Sequence, residues 1–231
     1  MSFMKNKKLY SILGVLAMAV CLGIGVNANA KGHTDYAEQE YSEILAEKDM
    51  DDISYDDKYA ADGDMEEVVD DFATDEIYEV GEDILITNAE VEQYEEYYDL
   101  GDSANPKQDA IDYAQERNAL YAAAIENGFT VTDEEIYAYL DELKTLLKQE
   151  ENKEMYENAI SGFESEEAYW EFEYEVYKID LPIQKYVASL EEEYKETSDV
   201  EDAMELEEEW TDEFEIIKEE LVDEQNFTAI E

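Results

Sequence analysis

The chain has 231 residues, of which 66 are acidic and 15 basic, a formal net charge of -51. Phosphate binding needs a footprint of lysine and arginine, so nucleic acid is not an expected partner, and anionic membrane surfaces are disfavoured for the same reason. Such a charge favours solubility, diffuse cation binding and repulsion between copies.

Residues 1–30 read as a secretory signal peptide. Lys5, Lys7 and Lys8 make a basic start, residues 9–26 are apolar, and Ala28-Asn29-Ala30 fits the small-x-small pattern of signal peptidase cleavage. Cleavage after Ala30 would begin the mature chain at Lys31 and leave no stable membrane span. The apolar run is also long enough for an uncleaved anchor. Cys21 offers a third route, lipid attachment, although Val20 rather than a small residue precedes it. Cys21 is the single cysteine, so a cleaved chain has no disulfide, thiolate nucleophile or zinc–thiolate site. A cysteine-free exported chain of this acidity points to the exterior or cell envelope of a bacterium, Gram-positive in this reading.

Residues 31–75 hold 17 acidic residues against three lysines, with no sustained apolar periodicity. Such a segment buries too little apolar surface to offset its ordering entropy. It is expected to be a disordered acidic stalk, with the folded part over residues 76–231.

From Glu76 the texture changes. "IYEVGEDILIT", residues 77–87, has two short β-prone runs around Gly81-Glu82-Asp83, which predicts a hairpin. Asn88 is placed to cap a helix to about Leu100, with Gly101 as its stop. After the loop "GDSANP", a second helix begins near Pro106 and ends at Asn127-Gly128. Thr132-Asp133-Glu134-Glu135 is a capping box for a third helix, whose apolar face is Ile136, Tyr139 or Leu140, Leu143 and Leu147. A shorter helix spans about 152–161 and stops at Gly162. Ser198 with Glu201 predicts another capping box, opening a last helix that bears Trp210, Phe214, Ile217 and Leu221, and "NFTAI" reads as a short closing strand.

Between these lies "AYWEFEYEVYKIDLPIQKY", residues 168–186, where apolar and acidic residues alternate as in a strand from Trp170 to Val176. Tyr177 breaks the parity. A helical heptad accounts for more: Tyr169, Phe172, Val176, Ile179, Ile183, Tyr186 and Leu190 recur at spacings of 3, 4, 3, 4, 3 and 4. The segment is therefore expected to be a long helix capped by Ser165 and kinked at Pro182. Trp170, Tyr174, Tyr177 and Leu181 form a second stripe beside the first. The commoner cause of two apolar stripes is that helices pack on both sides. The sharper alternative is a surface that binds client chains, for which Tyr and Trp combine apolar area with a polar edge. On that alternative the client-binding residues are Trp170, Tyr174 and Tyr177, with Tyr139 and Leu143 on the neighbouring helix.

The order "EVGEDILITNAEVEQY", then "QDAIDYAQERNALYAAAIENGFTVTDEEIYAYLDEL", then "SEEAYWEFEYEVYKIDLPIQKYV" resembles the N-terminal chaperone domain of the SurA/PrsA foldases. The most specific piece is residues 122–135, and the resemblance covers about 76–196, with the last helix matching the segment that closes the family's chaperone core. It implies a mainly α, multi-helix SurA-N-like domain with a short strand pair. In that family a parvulin-type prolyl isomerase domain usually precedes the closing helix. Here Tyr194 runs through Thr197 into Ser198 with no room for one, and the single histidine, His33, lies in the stalk. The resemblance thus implies a chaperone-like fold without isomerase activity.

Other chemistry finds little footing. Nucleophilic triads lack a base, carboxylate pairs at this acidity are solvated faces first, and no glycine-rich phosphate loop occurs. An EF-hand loop centred on Gly63 would put Lys58 first and Val69 last, where carboxylates are needed. No cofactor and no metal site are expected, and the Asn226-Phe227-Thr228 sequon would be idle in a bacterium. The expectation is an exported, non-enzymatic chaperone or holdase-like protein whose partners are unfolded or partly folded exported proteins. The alternative is an envelope or surface protein that binds one specific partner on the same fold; a carboxylate–metal enzyme is the weakest reading.

Overall fold

A computed structural model describes residues 55–60, 65–149, 152–200 and 202–230. The signal segment with Ala28 and Ala30, and the stalk up to residue 54, lie outside the described residues. The fold is mainly helical with a small three-stranded antiparallel sheet.

The expected hairpin forms. Strand β1 (Ile77–Val80) pairs antiparallel with β2 (Leu85–Thr87), Val80 facing Leu85 and Ile77 facing Thr87, with an irregularity between Ile77 and Glu79. Gly81 opens the turn, its N–H donating to the Ile84 carbonyl at 2.8 Å. A side chain there would meet Gln225 at 2.7 Å, Phe227 at 2.8 Å and the Ile84 carbonyl at 2.9 Å, so the close approach requires glycine. The closing strand also forms: β3 (Thr228–Ala229) lies on the other side of β1, giving the order β2-β1-β3.

Helix α3 (Asn88–Leu100) is capped one residue earlier than expected. The Thr87 hydroxyl accepts from the Glu90 N–H while the Glu90 carboxylate accepts from the Thr87 N–H. Asn88 instead donates its amide to the Asp75 and Ile77 carbonyls, tying the helix start to β1. Helix α4 (Pro106–Glu126) has proline at its first turn, and its alanine-rich second half is buried nearly all round. Gly128, at φ 80°, takes the left-handed conformation that ends it. Helices α5 (Asp133–Leu147), α6 (Lys153–Ser161), α7 (Glu166–Thr197) and α8 (Ala203–Gln225) follow.

Helix α7 confirms the heptad: Tyr169, Phe172, Val176, Ile179 and Ile183 are buried, Tyr186 and Leu190 half-buried. Its helical assignment runs unbroken through the buried Pro182, and the Ser165 hydroxyl accepts from the Ala168 N–H at its start. Helix α8 begins differently from expectation. Its cap is Asp202, whose carboxylate accepts from the N–H groups of Met204 and Glu205, while Ser198 bonds its own loop at Val200. The Ser198 N–H still donates to the Tyr194 carbonyl, so Ser198 finishes α7 rather than opening α8. A carboxylate at the positive end of a helix is the stronger cap.

The folded part also starts before Glu76. One helical turn, α1 (Tyr55–Lys58), precedes a bridge from Tyr59 to Ile84 and a bond from the Ala60 N–H to the Asp83 carbonyl. A short helix α2 (Met65–Asp70), with no buried residue, follows. The chain divides into two compact units. The first holds Val131–Leu181 and the second holds Asp51–Thr130 with Pro182–Glu231. Among the described residues no helix is long and apolar enough to cross a membrane.

Candidate functional site

The client-binding candidates Trp170, Tyr174, Tyr177, Tyr139 and Leu143 all lie in the unit of Val131–Leu181. Its first helix, α5, is started by the expected capping box: the Thr132 hydroxyl accepts from the Glu135 N–H, and the Glu135 carboxylate accepts from the Thr132 N–H at 3.0 Å. Ile136, Leu140, Leu143 and Leu147 form the buried stripe. Tyr137, about 100° further round the helix, points away from that stripe and is 59% exposed.

On α7, Tyr169, Phe172, Val176 and Tyr177 face inward, while Trp170 and Tyr174 are half-buried. The Tyr174 ring stacks on Tyr137 at 4.9 Å, and its hydroxyl donates to Asp133 at 2.9 Å. Desolvation and the Asp133 carboxylate push that hydroxyl up to about 12. Trp170 is anchored at its edge and over its face. Its indole N–H donates to the Tyr156 hydroxyl at 3.3 Å, and the Lys144 ammonium lies 5.1 Å from its ring centre. Glu166 binds Lys148 at 2.8 Å and Lys144 at 3.0 Å, bonds that hold its carboxyl down at about 2.

The structure separates the candidates. Trp170, Tyr174 and Tyr139 reach the surface. Tyr177 is 0% exposed and packs its ring 4.7 Å from Tyr139, and Leu143 belongs to the buried stripe, so neither meets a partner in the closed unit. Two residues escaped the sequence reading. Tyr137 is the exposed half of the stacked pair; its signal is an aromatic residue just off the apolar stripe of its helix. Glu173 is fully buried, and neither of its carboxylate oxygens has a hydrogen bond of normal geometry. The Tyr169 hydroxyl leans towards it and lowers its pKa, but desolvation prevails and pushes the group up to about 8. The sequence signal was there: Tyr169 and Tyr177 stand four residues to either side of Glu173 and put it on the inner face.

This is a surface of aromatic faces with polar edges, suited to apolar and aromatic side chains of another chain. Among the described residues no group of three or more His, Cys, Asp or Glu is arranged to hold a metal ion. No protein-family model matches the chain, and neither a curated protein nor a solved structure matches it.

Proposed function

We propose that this chain is an exported, non-enzymatic holdase-like protein that shields apolar segments of unfolded or partly folded exported proteins, as a SurA/PrsA-type chaperone domain lacking a parvulin domain would. The observation that carries the reading is the solvent-facing Tyr137–Tyr174 stack, with half-buried Trp170 and Tyr139 on the same two helices. Stacked tyrosines offer apolar area at little rotamer cost and accept many partners, because every apolar side chain suits an aromatic face. The net charge of -51 supports the same role by keeping loaded copies apart. Export rests on residues 1–30, and the family likeness on the order of motifs in residues 76–196.

The test is the double variant Tyr137→Ser/Tyr174→Ser. Both rings are at the surface, so the melting temperature should change little while suppression of aggregation of an unfolded client falls several-fold. Unchanged suppression overturns the reading. A single tight partner recovered from envelope extract, with no general suppression, would favour the one-partner alternative.

A further inference from the structure

We propose that Glu173 is a pH latch on the unit of Val131–Leu181: its carboxyl is held neutral in the closed unit, and its ionisation loosens that unit and uncovers the buried rings beside the Tyr137–Tyr174 surface. The inference concerns regulation of the surface assigned above and rests on that assignment.

The geometry carries it. Glu173 has no solvent contact and neither oxygen has a hydrogen bond of normal geometry, the Tyr169 hydroxyl only leaning towards it, and the Tyr177 hydroxyl one turn on is likewise buried without a bond of normal geometry. A carboxylate in that position would have lost its hydration with only the Tyr169 hydroxyl to replace it, which is far costlier than burying the acid form. Of the groups that face it, only the Tyr169 hydroxyl favours the charge, and burial outweighs it. On α7 the facing groups are the hydroxyls of Tyr169 and Tyr177 and the carboxylate of Asp180. On α5 Tyr139 packs against Tyr177, and on α6 Tyr156 acts on Tyr169. The lysines of this unit that form ion pairs are engaged elsewhere: Lys144 and Lys148 by Glu166, Lys153 by Glu157, Lys178 by Glu175. Asp180 raises the Glu173 pKa further, and burial of the same cluster drives Tyr169 and Tyr177 well above their usual range, so neither supplies charge.

The sign follows. A carboxyl raised from the ordinary 4.5 to about 8 keeps in the folded unit a proton that the opened chain has lost. Stability is therefore full below the ordinary value and falls as pH rises towards 8, by about tenfold in the closed-to-open ratio per pH unit. Tyr177, Tyr169 and Phe172 are the rings that opening would add to the aromatic surface.

The experiment compares melting of the full chain and of Glu173→Gln from pH 5 to pH 9. The glutamine keeps size and polarity but does not titrate, so taking the difference removes the effect of the remaining acidic groups. The two should melt alike at pH 5, and the variant several degrees higher at pH 8. Parallel curves overturn the latch. Glu173→Met, of similar length and without charge, should flatten the profile in the same way and replaces the glutamine if that variant does not fold. Aggregation suppression measured at pH 6 and pH 8.5 should rise with pH in the native chain and stay level in Glu173→Gln; a level native chain overturns the coupling to binding. Absence of suppression at every pH, with the melting difference intact, would remove the holdase reading and leave the latch standing.

Discussion

Lys58 sits in a stretch where 17 acidic residues surround three lysines, and the fold buries it completely. Its ammonium lies 2.6 Å from Glu90 and donates to the Asn118 side-chain carbonyl at 3.2 Å. Asn118 in turn donates to Glu90 and to the Ala114 carbonyl, and the Thr87 N–H completes the carboxylate. Burial pulls the lysine down to about 8 against the pull of Glu90. Removing one member of such a buried pair takes from the other an opposite charge that burial had made valuable. Lys58→Ala is therefore expected to cost about 3–5 kcal/mol, whereas a solvent-exposed pair contributes about 0–1 kcal/mol. Urea unfolding reads the difference, and a loss below about 1 kcal/mol would mean that the segment before Glu76 is not tied to the fold through this lysine. The neighbouring Arg117 is also buried and donates to the Tyr94 hydroxyl at 3.3 Å; among the described residues the buried side-chain atoms without a hydrogen bond of normal geometry belong to Glu173 and Tyr177.

Among the elements, the helix ends show how local chemistry competes. Thr132 and Glu135 form their box at the exposed start of α5, where each bonds the other's backbone N–H. Ser198 had an equally good pattern in sequence, yet its N–H closes α7 and its hydroxyl serves Val200, leaving α8 to Asp202. Asp202→Ala should then cost about 0.5–2 kcal/mol through loss of the cap, with Ser198→Ala costing clearly less. Circular dichroism during urea titration of both variants checks the ranking, and the reverse order would restore Ser198 as the cap. At its other end α8 stops at Asn226, held at φ 48°, and Gln225 there clasps the hairpin turn. Its side chain accepts from the Asp83 N–H and donates to the Asp83 carboxylate, and its carbonyl accepts from the Glu82 N–H.

At the scale of the whole molecule the charge dominates. A net -51 spread over 231 residues repels itself in any compact state. Raising sodium chloride from about 10 mM to 150 mM shortens the Debye length from about 30 Å to about 8 Å. The melting temperature should therefore rise with salt, because the surface pairs that screening weakens, such as Lys153 with Glu157, contribute little. A melting temperature that falls with salt would mean that specific ion pairs outweigh the general repulsion.

Features that neighbours along the chain decide could be read before the chain was folded. The heptad of α7, the capping box of α5, the hairpin around Gly81 and the stop at Gly128 rest on groups within about one helical turn or one turn of chain, so periodicity and turn chemistry suffice to read them. The tertiary structure alone decided which ring of each aromatic stripe is reached by solvent, and hence that Tyr137 and Tyr174 are outside while Tyr177 and Leu143 are inside. It also decided that Lys58, unremarkable among so many charges, is buried, and that Glu173, on the inner face of its helix, has no partner of normal geometry there. Those outcomes depend on partners far off in sequence, Lys58 with Asn118 across 60 positions and Tyr174 with Asp133 across 41. Burial is a property of the packed unit rather than of any local pattern, since the desolvation that makes one glutamate a latch and another a solvated surface charge exists only once the helices have closed over it.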